Sequence, residues 1–220
     1  MRRRRTALIA LGAAAVLALT GWLVVAFSPA FAITSVEITG TKLLTPDAVA
    51  QTAAVSLGTS LALVDTDAVA GRVRGLAPVA QVAVTRRWPA TLRIEVTERT
   101  AVVAVRSWQK YFLADSAGVV FDEADTIPPG LVEVVVAPTN TALLADTWTV
   151  HNALDPSVRA LVRLIEADTR DSITVVLITG VRVIWGDVGK SELKSQVLDA
   201  LIDSSAKVID VSSPANPATR

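Results

Sequence analysis

The 220-residue chain is formally neutral and 51% apolar, with one histidine and no cysteine. That length holds one large domain or two small ones. The missing cysteines exclude disulfides, cysteine zinc sites and Cys-His nucleophile pairs. Charge is uneven: Arg2, Arg3, Arg4 and Arg5 supply four of 21 basic residues ahead of the first acid, Glu37, so the remainder carries 17 basic against 21 acidic groups. A body of net negative sign is a poor match for a phosphate backbone, so no nucleic-acid partner is expected.

Residues 6–27, TALIALGAAAVLALTGWLVVAF, contain neither charge nor proline. As a helix they extend roughly 33 Å, enough to cross a bilayer's hydrocarbon core. Residues 1–5 then form a short cytoplasmic tail by the positive-inside rule, and Trp22 and Phe27 suit the far interface. Ala30-Phe31-Ala32 fits a signal-cleavage pattern, but the apolar run exceeds the roughly 7–15 residues of a signal h-region, which favours an uncleaved anchor. Ala10, Ala14 and Ala18, four apart, offer a face for another helix, although simple anchoring explains them as well. The remainder is then extracytoplasmic and held by its core alone.

After a short linker, Val36 and Ile38 alternate with Glu37 and Thr39 in a strand ended by Gly40. Thr45 and Pro46 are an N-cap and a first helical residue for a helix with Val49 and Ala53 on one face. Asp65 starts a second helix with Val69, Val73 and Leu76 on its apolar face, stopped by Gly75 and Pro78. Val82 and Val84, then Leu92, Ile94 and Val96, alternate with polar residues as a hairpin joined through Trp88-Pro89. Pro89 belongs in the connection because it donates no ladder hydrogen bond, and Trp88 is placed to lie over the end of the core. Strand-helix-helix-strand-strand packs naturally as two helices on a three-stranded sheet.

This order resembles a POTRA domain. Its place after a single membrane helix, with Arg87, Trp88, Pro89, Thr91, Leu92, Ile94, Val96, Glu98 and Arg99 at the hairpin, resembles the FtsQ/DivIB family of bacterial cell-division proteins. Downstream, AVVAVRSWQKYFLADSAGVVFDEA reads as three strands with a turn at residues 115–118, and its YFLADSAGVVF resembles the family's L-x-D-x-x-G-x-x-F element. After Pro128-Pro129-Gly130, LVEVVVA is strand-like. DPSVRALVRLIEAD has Asp155 and Pro156 as cap and N1, and Val158, Leu161, Val162 and Ile165 as a helical stripe. SITVVLITGVRVIWG is a hairpin with Thr179-Gly180 at its tip, SELKSQVLDALID a helix, and KVIDV a last strand before Pro214 and Pro217, which are expected to forbid further pairing. The expected class is α+β: a transmembrane helix, a POTRA domain (β-α-α-β-β) over residues 33–99, a β-rich domain with two helices over residues 100–213, and a tail over residues 214–220.

No motif demands catalysis, a cofactor, a metal or a small-molecule substrate. Gly189-Lys190-Ser191 lacks the earlier glycine of a P-loop, the position being Ile184, and reads as a helix start capped by Ser191. His151 has no G-x-S-x-G partner and reads as an ordinary surface or half-buried histidine. Asp122, Glu123 and Asp125 lack calcium-loop spacing and read as a solvated turn.

What remains is a protein-binding surface. At a sheet edge, a last strand has free N–H and C=O groups that accept a partner strand, unless Lys207 and Asp210 blunt it. The resemblance implies that Lys207, Val208, Ile209, Asp210, Val211 and Ser212 capture the FtsB part of an FtsB/FtsL-type complex, with FtsW/FtsI-type proteins as further partners. It also implies a recruitment surface at Gln81, Val84 and Arg86, although alternation puts Gln81 on the face opposite the other two and favours a core role for Val84. The function implied is a non-enzymatic, single-pass divisome scaffold at the septum that helps control septal peptidoglycan synthesis. The short tail argues against recruitment from the cytoplasm. The alternatives are an exported POTRA protein of secretion or assembly, for which too few barrel strands remain, and an exported hydrolase built around His151.

Overall fold

The computed structural model describes residues 2–203 and 205–220, and the side chains of these except 2–10 and 27. The chain divides into two compact units, Met1–Glu98 and Arg99–Arg220.

The first unit begins with helix α1, Arg2–Phe27. Leu11, Val16, Leu17, Leu19, Trp22, Leu23 and Val24 on it are exposed. Among the described residues no helix is long and apolar enough to cross a membrane. Of the expected span, the side chains of residues 6–10 and 27 lie outside the described ones, as does Ala10 of the alanine stripe.

There follow β1 (Ser35–Thr39), α2 (Pro46–Ala53), α3 (Thr66–Arg74), β2 (Val79–Arg87) and β3 (Thr91–Glu98). The sheet order is β1-β3-β2, with β1 parallel and β2 antiparallel to β3. A parallel pair needs a crossover, and the two helices supply it. Thr45 accepts from the Ala48 N–H and Asp65 from those of Asp67 and Ala68, the expected caps. The helices seal Val49, Ala53, Val69 and Val73 against Val79, Ile94 and Val96. This is the strand and helix order of a POTRA domain.

The hairpin residues have structural tasks. Glu98 accepts from the backbone N–H groups of Leu43 (2.8 Å) and Leu44 (2.9 Å), tying the segment before α2 to the end of β3. Burial alone raises its pKa, but the hydrogen bonds from Leu43, Leu44 and Lys42 prevail and hold the carboxyl below the usual glutamate value. Trp88 is half exposed and meets Phe31 edge-on, ring centroids 5.6 Å apart, so its ring lies against the entering chain.

The second unit contains β4 (Val103–Ser107), β5 (Lys110–Ala114), β6 (Val120–Ala124), β7 (Val132–Val135), α4 (Thr141–Ala153), α5 (Pro156–Arg159), β8 (Val162–Ala167), β9 (Ile173–Leu177), β10 (Arg182–Gly186), α6 (Ser191–Leu201), β11 (Val208–Asp210) and β12 (Ala218–Thr219). They form a nine-stranded sheet ordered β12-β11-β10-β9-β8-β7-β4-β5-β6. The parallel pairs β7-β8 and β10-β11 are bridged by α4 with α5 and by α6. These crossovers bring Leu143, Leu144, Val150 and Leu198 into one core with Val134, Ile165, Val175, Val183, Trp185 and Ile209.

Three expectations are corrected here. The segment after Asp155 is helical only through Arg159; Val162–Ala167 is strand β8, held between β7 and β9. Val162 and Ile165 both pack on the core because the register shift between Val162 and Leu164 turns them to the same side, so a bulged strand reproduces the three-residue spacing of a helical stripe. Ser191 does not cap α6: Lys190 takes that place with φ of 57°, while Ser191 Oγ donates to Val188 O and accepts from Trp185 Nε1. Finally, Pro214 and Pro217 do not prevent pairing, because Ala218 and Thr219 lie just beyond them and form β12 on β11.

Candidate partner-binding site

The six residues singled out near the chain's end lie together on β11 and its flanks. Ile209 and Val211 are fully buried in the core, whereas Lys207 and Ser212 are exposed and Val208 and Asp210 half-buried. The alternation separates an anchoring face from an accessible one. On the inner flank β11 runs parallel to β10, with Arg182 N–H bonded to Lys207 O at 3.0 Å and Val211 N–H to Ile184 O at 3.0 Å. Beyond β11, Asp210 Oδ1 accepts from the N–H and Oγ of Ser212 and turns the chain. Gly186 has φ of 77°, and a Cβ there would lie 3.0 Å from the Ser212 Cβ, so glycine lets β10 pass closely under this end.

The outer flank is not bare. The N–H groups of Lys207 and Val208 bond to Arg220 O at 2.8 and 3.0 Å, and Arg220 N–H bonds to Val208 O at 2.9 Å. In β12, Thr219 faces Ile209 and Ala218 faces Asp210. The Val208 N–H thus points outward, away from β10. The cover is slight: β12 is two residues long, and residues 215–220 are all exposed.

The residues named on β2 do not form one patch. Val84 packs on the first unit's core, and Arg86 donates to Leu61 O (2.9 Å) and Val64 O (2.6 Å), fastening the segment before α3. Gln81 is exposed, on the other face.

The residues weighed for chemistry are placed otherwise. Among the described residues no group of three or more His, Cys, Asp or Glu side chains is placed to hold a metal ion. Asp122 and Glu123 are exposed on β6, and Glu123 pairs with Lys110. His151 lies on α4, its ring 5.6 Å from that of Trp148 and its Nδ1 buried without a hydrogen-bond partner among the described residues. Burial, reinforced by Arg159, pushes its pKa down to about 4. The unfolded chain therefore binds a proton near pH 6.5 that the fold refuses until about pH 4, and stability from this group falls as pH falls through that window. His151→Gln is expected to flatten the melting temperature between pH 6.5 and 4; an unchanged slope contradicts the assignment.

One structural residue had no sequence signal. Lys194 on α6 is 2% exposed, its Nζ donating to Asp187 O at 2.9 Å and Asp187 Oδ1 at 2.8 Å. This pair, with the Gly189 N–H, holds the Asp187 carboxyl below its usual value and pins the turn between β10 and α6.

Comparison with known proteins supplies the context. The family model "POTRA domain, FtsQ-type" matches residues 31–99, and "Cell division protein FtsQ/DivIB, C-terminal" matches residues 103–212. The chain is 33% identical to the cell division protein FtsQ of Streptomyces venezuelae over 86% of its own length and 74% of that protein's. It is 35% identical to the FtsQ of Streptomyces bingchenggensis, over 98% and 86%. With the Mycolicibacterium smegmatis FtsQ it shares 37% identity, over 93% of its own length but 62% of the relative's. A POTRA unit followed by a β-rich unit, matched in order by both models, shows that the chain belongs to the FtsQ/DivIB family of cell division proteins.

Proposed function

We propose that the chain is a membrane-anchored, non-enzymatic scaffold that gathers FtsB/FtsL-type proteins at the septum and helps control septal peptidoglycan synthesis, capturing a partner strand at β11. The observation that carries this reading is the position of β11: its buried side chains root it in the core while its outward backbone groups are covered only by the short exposed segment 218–220. Added strands gain affinity from main-chain hydrogen bonds and selectivity from alternate side chains. The exposed apolar surface of α1 suits insertion into lipid, and tethering raises the local concentration of partners anchored in the same bilayer.

Because the chain has no cysteine, a single introduced thiol reports unambiguously. Asp210→Cys is expected to cross-link to an FtsB/FtsL-type complex carrying a cysteine in an extended segment, and Asp122→Cys, on β6 at the other end of the sheet, is not. Equal cross-linking at both positions rejects the reading.

A further inference from the structure

β12 occupies the edge through which the proposed partner strand would enter. We propose that residues 216–220 are an intramolecular competitor for that edge, so that a partner gains β11 only by displacing them. This inference rests on the proposed strand capture and specifies its regulation.

The geometry supports both occupancy and release. The backbone groups of Lys207, Val208 and Arg220 satisfy one another in an antiparallel ladder, which is what an incoming strand would do. Only seven residues, 211–217, connect the two strands, and their path is preset by the Asp210–Ser212 turn and an Asn216 N–H bond to Ser213 O at 2.9 Å. A short tether keeps the tail at a high effective concentration, on the order of millimolar. Yet residues 215–220 bury no side chain, so nothing beyond a few edge hydrogen bonds retains them. A longer strand with side chains suited to the surface beside Val208 and Asp210 has more to gain. The tail also displays the register of the edge: a small residue opposite Asp210, a β-branched one opposite Ile209, a long basic one opposite Val208. A tail docked about nine-tenths of the time lowers apparent affinity about tenfold.

The test uses the full chain in detergent and a purified FtsB/FtsL-type heterodimer as probe. Three forms are compared: the parent, a variant lacking residues 214–220, and Arg220→Pro, which removes the N–H bonded to Val208 O. Both variants are expected to bind about tenfold more tightly, and millimolar peptide PANPATR to reverse the gain in the truncated one. If truncation impairs folding, as seen by circular dichroism, Arg220→Pro decides. Unchanged or weaker binding in the folded variants, with Val208→Pro still abolishing capture, overturns the competitor and leaves strand capture standing. Binding by the truncated form that is indifferent to an added Val208→Pro removes both.

Discussion

Trp185→Ala is expected to destabilise the second unit by roughly 3–5 kcal/mol, the range for deleting a large buried aromatic side chain. Trp185 is fully buried in β10, and its Nε1 donates to Ser191 Oγ at 3.2 Å, so it fills the core and steadies the start of α6. The substitution leaves a cavity beside Val183 and Ile209 and removes a partner from a half-buried hydroxyl. A stability loss of this size consumes much of the 5–15 kcal/mol typical of a domain. The consequence for binding is direct, because β10 is the strand on which β11 is built. Urea unfolding checks it. Trp185→Phe retains most of the volume and is expected to lose less than half as much; equal losses would mean that the indole's hydrogen bond, and not core filling, dominates.

The second large effect is expected at Gly118. Its φ is 75°, and a Cβ built there would stand 2.0 Å from Thr141 O and 2.8 Å from Ala145 N. Both contacts are backbone of α4, which cannot swing aside as a flexible side chain can. Gly118→Ala therefore combines left-handed backbone strain with displacement of a core helix, together on the order of 3–5 kcal/mol. The turn is fixed from the other side by Asp115, whose Oδ1 accepts from Ala117 and Val119 N–H while Oδ2 accepts from Arg99 at 2.5 Å. The expected outcome is a lowered melting temperature with loss of near-ultraviolet dichroism. A melting temperature within 2 °C of the parent would show that α4 accommodates the methyl group, against the small-to-large penalty.

The first unit was legible because its signals are local. Thr45-Pro46 and Asp65 cap the helices, and the alternations around Val36, Val82 and Ile94 place each strand's buried face. The second unit was harder where tertiary placement overrides pattern. Helix α4 escaped notice because TALLADTWTVHNA mixes Thr, Val and Trp with no polar face, and its stability comes from contact with β7, β8 and α6. Strand β8 reads as helix because its register shift puts Val162 and Ile165, three apart, on the same core-facing side. The candidate strand itself was found by position and alternation, but its cover was not. A two-residue strand beyond two prolines has no periodicity to detect, and only the Arg220 hydrogen bonds reveal it. Lys194 looked like an ordinary helix lysine, since nothing local says that Asp187, seven residues earlier, folds back to meet it.

The reading of this chain as a strand-capturing scaffold is tested most directly by Val208→Pro. Proline there deletes an N–H that points away from β10, toward Arg220 O, and leaves the inward ladder and the core side chains in place. In a titration of the chain lacking residues 214–220 with an FtsB/FtsL-type complex, where no tail competes for the same N–H, adding Val208→Pro is expected to cost at least about tenfold in affinity, the equivalent of one good hydrogen bond, while the melting temperature stays close to that of the truncated chain. Unaltered affinity in a folded Val208→Pro protein would contradict the account.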